Sequence, residues 1–225
     1  MDYILNIHTT TEKAIVNICN GQNVINTYYN YDPKEHLAFL HSGIQKILKE
    51  NKILINELKA VGVTSGPGSY TGIRIGLATA KGLCFSLKIP LISFNTLEVM
   101  ARSAAENIQQ QNALYCPMID ARRLEVFTAV FDYAMQEVIP PSAMVLTEES
   151  FTELLNSNPI YFFGNGSKKF EILATKIQQS HFIDEEIDPG VLCKFGWEKY
   201  QKKEFADVAI AEPFYIKEFH STSKK

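Results

Sequence analysis

Excess positive charge, paired cysteines, grouped histidines and long apolar runs are all missing from this 225-residue sequence. Twenty-two lysines and arginines stand against 25 aspartates and glutamates, a formal net charge of -3. A chain that grips nucleic acid unaided carries a basic stripe to neutralise phosphates. Here the lysines are scattered and the densest cluster is Lys224-Lys225 at the end, so unaided nucleic-acid binding is not expected. The four cysteines (Cys19, Cys84, Cys116, Cys193) make no C-x-x-C pair, which leaves no redox motif or zinc knuckle. Buried free thiols in a reducing cytosol fit better. Met1 to Ile7 lacks the basic flank of a signal peptide. Gly82 to Leu97, the longest weakly charged stretch, is broken by Lys88 and Pro90 and cannot cross a bilayer. His36 and His41 are five apart, roughly 140° round a helix, so they cannot share a metal as an i, i+4 pair would. His181 and His220 are isolated. The expectation is a cytoplasmic chain with no membrane contact and no metal.

What remains is ordinary globular material: 46% hydrophobic and 21% charged residues, enough chain for one large domain or two small lobes. Tyr3–Ile7, Lys13–Cys19 and Asn23–Asn30 read as strands, the last two joined at Asn20-Gly21 as a tight hairpin. Asp32 caps a helix that has Pro33 at its first position and Glu35 placed for a capping box. Leu37, Leu40, Ile44, Ile47 and Leu48 give it one apolar stripe to Glu50. Ala60–Thr64 is a short strand, followed by a glycine-rich turn and a helix from about Gly72 to Phe85. Ile89–Ser93 is a strand, and Thr96 can cap a helix to Ile108. Strands then restart at Leu114–Ile119, Leu124–Phe131 and Met144–Leu146. A helix opens at Thr147 and runs to about Asn156. Ile160–Phe163 is a strand, Gly164-Asn165-Gly166 leads to a helix over Lys168–Gln178, and Asp188-Pro189 starts the last helix, to about Lys203. The restart predicts an α/β protein of two lobes with mixed sheets: residues 1–108, then 109–205, with 206–225 packing back on the first.

Ser65 to Leu83 is the most informative stretch. A strand enters and a helix leaves, a context in which backbone N–H groups can cradle an anion. It is not a P-loop, because Gly72 is followed by Ile73 and not by Lys and Ser/Thr. It also lacks the third glycine of the dinucleotide fingerprint, where Thr71 stands. In the helix that follows, Gly72, Gly76 and Ala80 fall at i, i+4 and i+8. That nearly bare face permits close helix packing, inside this chain's own lobe or against another chain. Asp120 and Arg122 stand at a strand end, where salt-bridging the turn, with Glu125 sharing it, competes with a catalytic role. Gly164-Asn165-Gly166 fits a nucleotide approach or a loop that needs positive φ.

Gly66-Pro-Gly-Ser-Tyr-Thr-Gly-Ile-Arg-Ile-Gly-Leu77 resembles the signature run of the TsaB family (older name YeaZ), G-P-G-S-[FY]-T-G-[LIV]-R-[IV]-G. Ile119-Asp-Ala-Arg-Arg-Leu-Glu-Val-Phe127 resembles that family's D-A-R-x-x-E-V-Y, Lys34-Glu-His36 its R-E-H, and Ala211-Glu-Pro-Phe-Tyr-Ile-Lys217 its A-E-P-x-Y-L-R. The matches keep the family's order and span most of the chain.

The resemblance implies an actin/Hsp70-like (ASKHA) fold of two related lobes, mixed sheets flanked by helices. It implies a non-catalytic subunit that pairs with the catalytic relative TsaD and works with the ATPase TsaE. Their joint product is threonylcarbamoyl-modified adenosine beside the tRNA anticodon. Homodimerisation when alone, and tRNA contact only through the complex, belong to the same expectation. The resemblance places the subunit interface on the two helices carrying His36, Leu40, Gly72, Arg74, Gly76 and Ala80. It also outlines a decayed nucleotide site: His8, Thr9, Thr10, Gly66, Gly68, Asp120, Gly164 and Gly166. His8 stands where the actin-like plan keeps a magnesium-binding Asp, and imidazole is a poor ligand for a hard cation. No cofactor of its own is therefore expected; ATP or ADP and metal belong to the partner subunits. The alternatives are an ATP-binding kinase of the same superfamily and, with no nucleophile–base or metal constellation to support it, a peptidase.

Overall fold

The protein's structure is a computed structural model that describes residues 1–174 and 179–217. Nearly continuous buried runs set the centre of the first sheet, which is covered on both faces. β1 (Tyr3–His8), β2 (Ala14–Asn20) and β3 (Asn23–Asn30) form an antiparallel meander. After α1 (His36–Glu50), β4 (Leu58–Thr64) pairs parallel to β1. After α2 (Tyr70–Leu87), β5 (Leu91–Phe94) pairs parallel to β4, and α3 (Thr96–Ile108) follows. The sheet order is β3-β2-β1-β4-β5.

The plan then repeats. β6 (Leu114–Asp120), β7 (Glu125–Phe131) and β8 (Glu137–Val145) are a second meander. α4 (Thr152–Leu155), β9 (Ile160–Phe163), α5 (Ser167–Leu173), β10 (Ser180–Phe182) and α6 (Pro189–Lys202) complete it. The order β10-β9-β6-β7-β8, with β9 parallel to both neighbours, is the first sheet's order replayed. Two mixed sheets with the same strand plan and flanking helices are the actin/Hsp70-like fold.

Three hydrophobic cores hold five layers together, the middle one enclosing α3 and α6. α1 and α2 cover the outer face of the first sheet through Leu40, Ile44, Ile47 and Leu77. α4 and α5 cover the outer face of the second through Leu155 and Phe170. Between the sheets lie α3 and α6. Each has crossed over: α3 packs on β6 and β7, and α6 packs on all five strands of the first sheet. A boundary at 108 and 205 therefore misdescribes these helices, because α6 belongs to the first sheet's core. The chain after it forms a strap. Ala206 N–H donates to Leu91 O at 2.8 Å, Lys81 Nζ donates to Ala211 O at 2.8 Å, and Phe214 N–H donates to Ser65 O at 2.7 Å.

Local chemistry explains where elements differ from their sequence reading. Asp32 accepts from Lys34 N–H as expected, but Glu35 makes no cap hydrogen bond; Asp32 N–H already donates to Asn30 Oδ1. Leu37 is 53% exposed and leaves the apolar stripe. Asn95, not Thr96, caps α3, accepting from Leu97 and Glu98 N–H. The helix expected from Thr147 shrinks to the four residues of α4, after a turn closed by Ser150. Of the helix expected over 168–178, residues 175–178 lie outside the described residues, as do His220 and Lys224-Lys225. No helix among the described residues is long and apolar enough to cross a membrane.

Candidate functional site

Two concavities flank the signature turn. The first is a cleft of about 440 Å³ between the lobes, where β1 ends in His8 and the β9–α5 turn presents Gly164 and Asn165. His8 is fully enclosed. Its Nδ1 meets Thr64 Oγ1 at 3.1 Å and its Nε2 meets Thr11 Oγ1 at 2.8 Å, so both ring nitrogens are committed. Burial, followed by the charges of His36 and Lys13, pulls its pKa down to about 3, and the ring is neutral.

Across from it the segment Asp184–Ile187 brings three carboxylates to the cleft, and Glu12 and Glu171 bring two more, against Lys13 and Lys168. Lys13 is already paired with Glu186. Burial raises the pKa of Glu185, and Asp188, Asp184 and Glu186 beside it push the same way. Asn165 closes one side, accepting from Asp120 N–H at 2.9 Å and donating to Glu12 Oε1 at 3.3 Å.

Of the remaining residues of the expected nucleotide site, most are engaged by the protein's own backbone, while Asp120 is exposed. Gly66 (φ 121°) faces Phe214 O and Gly68 (φ 149°) faces Thr10 O so closely that any Cβ would collide. Positive φ and close backbone approach are what glycine supplies here. Thr9 Oγ1 donates to Gly72 O at 2.7 Å, and Thr10 O accepts from Ser69 N–H at 2.7 Å. Gly164 and Gly166 make room for Met118 O and the Asp120 backbone. Asp120 accepts from Arg122 N–H and pairs with Lys169, both at 2.6 Å. These contacts make the signature turn a structural knot. Among the described residues no three His, Cys, Asp or Glu side chains could together hold a metal ion.

The face of Gly72, Gly76 and Ala80 is internal as well, which corrects its assignment to a subunit interface. A Cβ on Gly76 would strike Thr9 Oγ1 with Val63 and Ile7 behind it, and Ala80 is fully buried. Leu40 is in the same core. His36 is buried, contacting Asn30 Oδ1 at 3.2 Å and Thr11 O at 3.3 Å. Arg74 alone of that set is exposed. It is held by Tyr70 and by Tyr215 of the strap, a tie whose signal was the Ala211–Lys217 segment.

The second concavity lies between the same two helices. A groove of about 660 Å³ runs between α1 and α2. Ile44, Leu48 and His41 line one wall, Ala78, Gly82 and Leu83 the other, and Leu54 and Ile55 close the end. Leu54 is 66% exposed, and Phe85 nearby on α2 is 79% exposed. A Cβ at Gly82 would meet nothing within 4 Å. A glycine in an open helix interior costs about 1 kcal/mol against alanine, yet nothing in the monomer requires it. The Gln45, Ala78-Thr79 and Gly82-Leu83 spacing could have indicated this wall, had the other face not carried more glycine.

Comparison with known proteins gives consistent results. The family model described as TsaD, tRNA N6-adenosine threonylcarbamoyltransferase, matches residues 31–188. The chain is 29% identical to the tRNA threonylcarbamoyladenosine biosynthesis protein TsaB of Bacillus subtilis (strain 168), over 95% of this chain and 93% of that one. It is 34% identical to TsaB of Escherichia coli (strain K12) over 57% of this chain and 54% of that one. The solved structure of YeaZ from Pseudomonas aeruginosa superposes with a TM-score of 0.78 at 20% identity, covering 96% of this chain and all of that one.

Proposed function

The chain belongs to the TsaD family of tRNA N6-adenosine threonylcarbamoyltransferases, in its TsaB/YeaZ branch, and from that premise we propose that it is a non-catalytic partner subunit of the pathway. Its role is to bind TsaD, the catalytic relative, and hold it in the shape that transfers threonylcarbamoyl to tRNA adenosine beside the anticodon. TsaE and ATP serve repeated turnover, and the work takes place in the cytosol where tRNA is found. The chain carries no nucleotide or metal of its own, a reading supported by His8 and by the carboxylates of the cleft.

The apolar groove between α1 and α2 supports this reading most. A relative with the same fold carries the same helix pair on its own first sheet. Two such faces can stack about a pseudo-twofold axis, each filling the other's groove. Gly82 has open space around it, which leaves room for the close approach of a partner helix. Binding the active form of TsaD more tightly than its inactive form is sufficient for activation.

The test combines the chain, its cognate TsaD, tRNA and threonylcarbamoyl-adenylate, with modified nucleoside measured by mass spectrometry after digestion. The chain alone should give none, TsaD alone little, and the mixture full activity. Gly82→Leu should weaken TsaD binding tenfold or more, an order-of-magnitude figure at about 1.4 kcal/mol per decade. Modified nucleoside from this chain alone, or full activity from TsaD without it, overturns the proposal.

A further inference from the structure

All four cysteines are buried free thiols, and two of them share one pocket. Cys19 is on β2 and Cys193 is on α6, both in the core between the sheets. Asn6 Nδ2 reaches both sulfurs, donating to Cys19 Sγ at 3.5 Å and to Cys193 Sγ at 4.0 Å. Asn17 Nδ2 donates to Cys193 Sγ at 3.2 Å. Cys84 and Cys116 belong to the two outer cores, one each, and are apart from this pair.

The register of α6 on β2 sets the two sulfurs opposite each other. At the helix start Asn17 Nδ2 donates to Pro189 O at 2.8 Å. Further along, a Cβ on Gly21 would touch the Trp197 ring at 3.8 Å. Cys19 is midway between Asn17 and Gly21, and Cys193 is midway between Pro189 and Trp197. Four helix residues rise about 6 Å and two strand residues about 6.6 Å, so the elements keep step and the midpoints meet. Gly196 lets the helix come close, since a Cβ there would stand 3.1 Å from Asn6 Oδ1. The hydrogen bonds treat both sulfurs as acceptors. Asn6 and Asn17 are fully buried and turn N–H groups to sulfur, while their Oδ1 atoms have no partner among the described residues. Disulfide sulfur carries no proton and needs only donors, which these amides supply.

We propose that Cys19 and Cys193 form an oxidation site that closes to an intramolecular disulfide and locks α6 onto the first sheet. The oxidant is a peroxide. The first sulfur attacks one peroxide oxygen, the O–O bond breaks, and water leaves with a sulfenic acid behind. The second sulfur attacks the sulfenic sulfur, the S–S bond forms, and the hydroxyl leaves as water with the second thiol's proton. The two sulfurs together lose two electrons and both peroxide oxygens end as water. The reaction is slow, because hydrogen bonding to Cys19, then burial, push the Cys193 thiol up and keep it protonated. The pair therefore stays reduced in a reducing compartment and answers only sustained oxidant. The inference is independent of the partner-subunit role.

The test treats the full chain with hydrogen peroxide under native conditions and alkylates the thiols that remain. A non-reducing tryptic digest is then read by mass spectrometry. The expected product is one cross-linked pair of peptides, carrying Cys19 and Cys193, with Cys84 and Cys116 alkylated. The bond closes a loop that holds β3 through β10, so the oxidised chain should melt about 5 °C or more above the reduced one. Dithiothreitol should reverse the rise. Cys193→Ala should abolish both the cross-link and the rise; if that variant does not fold, Cys19→Ala serves in its place, and the peptide map of the parent chain decides without either. Cys19 and Cys193 both alkylated after peroxide treatment overturns the proposal. So does a cross-link to Cys84 or Cys116, sulfinic acid without a cross-link, or an oxidised form that melts no higher than the reduced one.

Discussion

A fully enclosed imidazole with both nitrogens committed to hydroxyls cannot take up a proton without losing its environment, and His8 is in that position. Burial, His36 and Lys13 hold its pKa at about 3, below an ordinary 6.5. The unfolded chain therefore binds the proton first, and His8 costs stability progressively as pH falls from about 6.5 toward 3, by about 1.4 kcal/mol per unit. His8→Gln removes this dependence. Between pH 7.5 and 5 it should lose about 2 kcal/mol less stability than the parent in urea titrations; parallel losses would exclude His8 as the source. The residue was legible in the sequence as a departure from the family's Asp. Its enclosure was not, because Thr64 reaches it only once β1 and β4 pair. The glycines divide the same way. Periodicity marked Gly72, Gly76 and Ala80 as a close-packed face but carried no information on whether Thr9 or another chain lay against it.

At the scale of elements, α2 has two glycine-bearing faces with opposite duties, and substitution separates them. Gly76→Leu forces a side chain into Thr9, Val63 and Ile7, an overpacking of about 1–3 kcal/mol or more, so its melting temperature should drop. Gly82→Leu fills empty space and improves helix propensity by up to about 1 kcal/mol. Its melting temperature should hold or rise while TsaD binding weakens; a Gly82 variant that melts early would assign that face to the fold. At the β6–β7 hairpin, Asp120 fixes the Arg122 backbone and pairs with Lys169 in an exposed setting. Burial alone would raise its pKa, but Lys169 and the Arg122 N–H outweigh burial and lower it. Asp120→Asn should cost no more than about 1 kcal/mol and leave threonylcarbamoyl transfer intact. Loss of transfer in a folded variant would mean that Asp120 does more than brace the turn. β8 shows why some elements escaped the sequence reading. The sequence reading placed a strand only at Met144–Leu146, yet β8 begins at Glu137 and runs through Pro140 and Pro141 as an edge strand, where a missing N–H can face solvent.

At the scale of the molecule, the duplicated plan was readable because each half opens with a run of apolar strands and closes with a capped helix. The exchange of those closing helices was not, since nothing local in α3 or α6 specifies which sheet each will cover. The exchange has a thermodynamic consequence. Ile4, Ile92 and Phe94 of the first sheet, Tyr115, Ala129 and Phe131 of the second, and Val191, Leu192 and Phe195 of α6 occupy one continuous core. Neither sheet buries its inner face without a helix donated by the other half, so the halves should not unfold separately. Trp197 lies on α6 beside Gly21 of the first lobe and reports this docking. In urea its fluorescence and the far-ultraviolet circular dichroism should move together in a single transition. Residues 1–113 expressed alone should lack a cooperative transition, because the first sheet's inner face loses α6, and adding residues 114–225 should restore one. Two separated transitions, or a cooperative 1–113 fragment, would show that each lobe holds its own core and that α6 is an appendage and not a shared layer.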